Sequence, residues 1–135
     1  MKTITNLGIL MLLLISWTCT TNAKVHVHVM NQLGGGRWMD IHCQSKDDDL
    51  GYQKVEDGAE TMWSFSVNFW GTTLFYCDVL WKGSVWRHFN AYDADKDYRR
   101  CRSECRWMIS EEGLLYGYNQ ENGIWEVFVP HSQYS

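Results

Sequence analysis

The chain has 135 residues, with 12 Lys and Arg against 16 Asp and Glu, a net charge of −4, eight tryptophans and five cysteines. A mildly acidic chain of this size argues against nucleic acid or an anionic lipid surface as its main partner. The length fits one domain.

The N-terminus carries Lys2, an apolar run from Leu7 to Ile15, and small or polar residues up to Ala23. The run is about half the ~20 apolar residues of a membrane span, so residues 1–23 are expected to be a secretion signal. The folded domain is then residues 24–135, with eleven basic and sixteen acidic residues, because Lys2 is the only charge lost. The C-terminal His131-Ser132-Gln133-Tyr134-Ser135 is expected to be neither a lipid-anchor tail nor a retention signal. The expected location is extracellular, with no membrane insertion.

From Lys24 onward the apolar residues recur every second position, the period of a half-buried strand. Val25, Val27 and Val29 alternate with His26, His28 and Met30, and Gly34-Gly35-Gly36 makes a turn. Met39, Ile41 and Cys43 form a second strand, and the acidic stretch Lys46 to Gly51 is expected to be a loop. Trp63, Phe65 and Val67 alternate, then Phe75, Cys77 and Val79, with Gly71 between. Val85 to Tyr92 follows the turn Lys82-Gly83-Ser84, and Asp93 to Arg102 reads as a polar loop. Cys105, Trp107 and Ile109 are followed by Leu114, Tyr116 and Tyr118, and Asn122-Gly123 marks a hairpin before Ile124 to Val129. About eight short strands with regular turn signals predict an all-β, antiparallel β-sandwich.

Cys19 leaves with the signal, and Cys43, Cys77, Cys101 and Cys105 remain. An even number in an oxidising compartment predicts two disulfides stapling a small core. Three pairings are possible. The short Cys101–Cys105 loop is disfavoured, and the preferred arrangement is Cys43–Cys105 with Cys77–Cys101, because Cys43 and Cys105 sit in apolar alternating strands.

The landmarks now resemble those of the plant self-incompatibility S1 family, the S-protein homologues. The matching pieces are Val27-His28-Val29-Met30-Asn31, His42-Cys43-Gln44-Ser45-Lys46-Asp47-Asp48-Asp49-Leu50-Gly51 and Trp63 through Cys77. Phe89-Asn90-Ala91-Tyr92, Cys101 and Cys105-Arg106-Trp107 complete the set. The resemblance implies a small secreted plant protein with four cysteines and a β-sandwich fold. The family's founding members resemble pistil ligands perceived by a pollen-side membrane protein. The expected role is therefore an extracellular signalling ligand for a cell-surface receptor, acting as a monomer. The alternative is a wall-associated carbohydrate-binding module that stacks sugars on Trp70 or Trp86. Family members often carry an N-glycosylation sequon, and this chain has none.

Chemistry-bearing patterns are few. Asp93, Asp95, Asp97 and Glu104 have the spacing of a calcium loop, but Tyr98 replaces the glycine of the sharp turn and Arg99, Arg100 and Arg102 crowd the site. His26 and His28 share a strand face and, with His42 on a neighbouring strand, have the residue types of a metal site; a solvent face is the commoner use. Asp47-Asp48-Asp49 reads as a turn in which Asp47 or Asp49 caps the step into Leu50-Gly51. There is no Gly-x-Ser-x-Gly and no His-Glu-x-x-His. The chain is expected to be a binding protein, not an enzyme, and to need no cofactor. Loops at the ends of a sandwich carry recognition, here 46–51, 68–72 and 93–102. The proposed partner contacts are Asp93, Asp95, Asp97, Arg99, Arg100 and Arg102. Trp38, Trp70, Trp86 and Trp125 fall off the core phase or in loops, and some of them are expected to be exposed.

Overall fold

The computed structural model describes residues 24–129, so the expected secretion signal lies outside the described residues. The strands are β1 (Lys24–Asn31), β2 (Met39–Gln44), β3 (Asp49–Val55), β4 (Glu60–Ser66), β5 (Leu74–Trp81) and β6 (Arg87–Asp93), then β7 (Glu104–Ile109), β8 (Leu115–Asn119) and β9 (Ile124–Phe128). One helical turn, α1 (Ala94–Asp97), follows β6. Five strands form a sheet in the order β4-β1-β7-β8-β9, and four form another in the order β3-β2-β5-β6. The fold is the expected all-β sandwich. β1 pairs with β7 in parallel, and the other strand pairs are antiparallel.

The two-residue period places the core. Val25, Val27 and Val29 of β1 point inward with Cys105, Trp107 and Ile109 of β7. Met39, Ile41 and Cys43 of β2 and Phe75, Cys77 and Val79 of β5 face them from the other sheet. Burying this apolar surface is the main driving force for the fold. Trp107 joins the layers. Its indole Nε1 donates to Ala91 O of β6 at 2.8 Å, and its ring lies 5.2 Å from Phe89 and 4.8 Å from Phe128.

β3 occupies part of the stretch expected to be a loop and raises the strand number to nine. It is an edge strand, and Tyr52, Gln53 and Lys54 are exposed. An edge strand with little to bury leaves no apolar alternation to read.

The disulfides correct the preferred pairing. Cys43 and Cys77 are register partners on β2 and β5, with Cα atoms 4.1 Å apart, and are bonded to each other. Cys105 lies on β7 in the opposite sheet, opposite Val27, and joins Cys101 at a Cα distance of 4.9 Å. Strand register decides the first bond, because side chains directly opposite on one face are the nearest partners.

The topology sorts the loops. The ends of β2, β4, β6 and β8 lie at one end of the sandwich, so segments 45–48, 67–73, 94–103 and 120–123 gather there. Two backbone bonds tie three of them together: Ala94 N donates to Thr73 O, and Gln120 N to Arg100 O. Among the described residues no helix is long and apolar enough to cross a membrane.

Candidate recognition surface

The acidic segment is a built turn. Ser45 N donates to Asp48 O at 2.7 Å, and Asp48 N to Ser45 Oγ at 3.1 Å. Asp49 Oδ1 accepts from Gly51 N at 2.9 Å and lies 2.6 Å from His42 Nε2. The Gly51 N–H, and after it His42, hold the Asp49 carboxyl below its ordinary value. Asp49 is therefore the capping residue, as expected, while Asp47 and Asp48 remain exposed. Their carboxylates carry negative charge at the tip, while the Asp48 backbone makes the turn.

Across from this turn, the 67–73 loop is organised by Asn68. Its Oδ1 accepts from Thr72 N at 2.8 Å, its Nδ2 donates to Thr72 Oγ1 at 2.9 Å, and its N–H donates to Thr73 Oγ1 at 2.8 Å. Gly71, at φ +66°, lets the chain turn back. The loop holds two neighbouring aromatic side chains in solvent. Phe69 is 92% exposed and Trp70 80%, their rings packed edge to face at 5.3 Å. Trp70 is one of the four tryptophans expected off the core phase; Trp38, Trp86 and Trp125 are exposed too, each less than Trp70. Phe69 was not singled out by the sequence, although two successive aromatics before a loop glycine were the available signal. Between this loop and the acidic turn lies an open cleft of about 680 Å³, with Lys46, Asp47, Asn68, Thr72 and Tyr76 among its walls.

The 94–103 segment divides the residues expected to contact a partner. Asp93 Oδ1 accepts from Asp95 N and caps α1. Asp97 is buried, with Oδ2 accepting from Asp93 N at 2.7 Å and Oδ1 from Arg100 Nε at 3.0 Å. Arg100 is 7% exposed. Its Nη1 donates to Tyr118 O at 3.2 Å, and its guanidinium lies 4.4 Å from the Trp107 ring centre. Asp97 and Arg100 thus belong to the interior, a correction to their expected surface role. The ion pair, the tryptophan face and the bond to β8 hold the guanidinium inside. Asp95, Arg99 and Arg102 are exposed. The Cys101–Cys105 bond fixes the segment's return into β7.

His26, His28 and His42 do not converge. His26 and His28 are on β1 of the five-stranded sheet, and His42 is on β2 of the other. His28 Nε2 lies 2.7 Å from Glu104 Oε2, and Nδ1 3.3 Å from Glu60 Oε1.

Residues 26–130 match the family model described as plant self-incompatibility protein S1. Self-incompatibility protein S1 of Papaver rhoeas is 43% identical over 105 residues, covering 77% of this chain and 75% of that protein. S-protein homolog 5 of Arabidopsis thaliana is 40% identical over 90 residues, covering 67% of this chain and 69% of that protein. In fold, the chain is similar to a solved structure of an SPH (self-incompatibility protein homologue), a group described there as small, highly stable, secreted proteins from plants. The TM-score is 0.60 at 17% identity, over 81% of this chain and 98% of that one. The chain belongs to the plant self-incompatibility protein S1 family and is an S-protein homologue.

Proposed function

We propose that this protein is an extracellular signalling ligand, recognised by a cell-surface protein through the end of the sandwich that carries segments 45–48, 67–73 and 94–103. The observation that carries the reading is the pair Phe69 and Trp70, held in water on a loop whose backbone is fixed by Asn68. Exposed aromatics cost solvation free energy in the free protein and are typical anchors of protein contacts. A loop ordered before binding loses little conformational entropy on binding. Asp47 and Asp48 on one side and Arg99 and Arg102 on the other are exposed charges around this centre, suited to steering and to discriminating partners. The role is one of binding, and the protein acts as a monomer.

The test uses fluorescently labelled protein on plant protoplasts, which keep their membrane proteins and lack a wall. Saturable binding is expected, and Phe69→Ala/Trp70→Ala should weaken it at least about tenfold, as for loss of an interface hot spot, with the melting temperature unchanged. Undiminished binding by that variant overturns the assignment of the surface. Binding to isolated wall polysaccharide with none to protoplasts favours the carbohydrate-binding module instead.

A further inference from the structure

Beside the edge strand β6, a pocket of about 330 Å³ opens between the two sheets. This is the lower end of the size range of small-molecule sites. Its apolar wall is built from Phe89, Trp107, Leu115 and Phe128, and its polar side includes Lys96 and Arg100. Gly117 makes the arrangement possible. A Cβ there would stand 2.9 Å from Trp107 Cζ3, 2.8 Å from Phe128 Cε2 and 3.1 Å from Arg100 Nη1.

The hydrogen-bond inventory of the polar side is incomplete in one direction. Arg100 uses Nε for Asp97 and Nη1 for Tyr118 O, but its buried Nη2 has no partner among the described residues. Buried arginine donors are normally satisfied, so an orphan at a pocket calls for an acceptor. Lys96 is exposed at the same pocket and takes part in none of the ion pairs among the described residues. The Asp97 carboxylate has both oxygens engaged, by Arg100 and by Asp93 N. Asn90 and Asp93 also line the pocket, with Asp93 Oδ1 taken by Asp95 N, and Arg100 Nη2 and Lys96 are the cationic donors left without partners beside the aromatic wall. A guanidinium edge pairs with a carboxylate through directed N–H bonds, and the apolar wall suits a flat hydrocarbon body better than a fully polar anion such as phosphate.

We propose that this pocket binds a small apolar carboxylic acid, with its carboxylate on Arg100 Nη2 and Lys96 and its body against Phe89, Leu115 and Phe128. The experiment is titration of the intact disulfide-bonded protein with 3-phenylpropionate and with its neutral isostere 3-phenylpropanamide, followed by ligand-observed NMR and calorimetry. Expected is one saturable site for the acid, with a dissociation constant on the order of 1 mM or tighter, and at least about tenfold weaker binding of the amide, which loses a charge-assisted bond. Lys96→Glu should weaken the acid at least about fivefold without a change in melting temperature, since Lys96 is exposed. Arg99→Glu, an exposed neighbour outside the pocket lining, should leave affinity unchanged. Absence of saturable binding, equal binding of acid and amide, or equal losses in Lys96→Glu and Arg99→Glu overturns the proposal.

Discussion

Replacing Arg100 by alanine separates the two uses of the arginines in the 94–103 segment. The Arg100 and Asp97 side chains are 8% and 12% exposed, joined at 3.0 Å. Removing one member of a buried pair leaves the other charge uncompensated, at a cost of about 3–5 kcal/mol. The variant also loses the bond to Tyr118 O and the packing of the guanidinium over Trp107. The described domain spans residues 24–129. For a domain of about this size each kcal/mol lowers the melting temperature by roughly 4–8 °C, so the fall should be at least about 12 °C. Arg99→Ala removes only an exposed side chain whose guanidinium lies 5.5 Å from the Tyr98 ring centre, and its effect should stay within about 0.5 kcal/mol. Thermal melts followed by near-ultraviolet circular dichroism, which senses Trp107 packing, and guanidinium titrations read both variants. An Arg100→Ala protein melting within about 2 °C of wild type would refute the interior role, and with it the cost assigned to the unpaired Asp97.

Gly117→Ala should destabilise by about 1–3 kcal/mol, as for overpacking. Phe128 can swing aside, but Trp107 is pinned by its bond to Ala91 O; an unchanged denaturation midpoint would contradict this. Loss of the Cys43–Cys77 bond through Cys43→Ala should cost about 4 kcal/mol and loss of Cys101–Cys105 through Cys101→Ala about 2 kcal/mol, since the closed loops differ in length by their separations of 34 and 4 residues. Peptide mapping and urea denaturation check the pairing and the order of the two costs. Asp49 has a folded pKa below its ordinary 3.8, so its charged form adds stability that is fully present above pH 3.8 and is lost as pH falls through the folded value. The melting-temperature difference between wild type and Asp49→Asn should therefore be largest above that pH and shrink in more acidic buffer; a difference growing toward low pH would show the sign to be wrong.

Much of the fold was legible because most strands bury one face, and burial writes a two-residue period into the sequence; β9, with Ile124, Trp125 and Val127 exposed, was marked by the Asn122-Gly123 turn instead. β3 escaped because an edge strand whose Tyr52, Gln53 and Lys54 face solvent has no such period. The disulfide pairing escaped for a different reason. Which cysteines stand opposite each other is a property of register and sheet order, and β1 reaches β7 across a long stretch of chain. The burial of Arg100 was hidden inside a run of charges that resembles a solvated loop. The Asp97-x-x-Arg100 spacing was its only local sign, and the aromatic face that receives it comes from β7. The recognition end was partly visible: Asn68 to Thr72 stood out as a loop with an aromatic in it, but the exposure of Phe69 depends on the Asn68 and Thr72 bonds that only the folded loop reveals.

The most direct test of the central claim is photo-cross-linking on living cells. A benzoylphenylalanine placed at Trp70 should form a cross-link to a membrane protein that excess unlabelled wild type abolishes. The same probe at Trp38, exposed before the start of β2 at the other end of the sandwich, should form none. A competed cross-link from position 38 together with none from position 70 would contradict the placement of recognition at the Phe69 and Trp70 end.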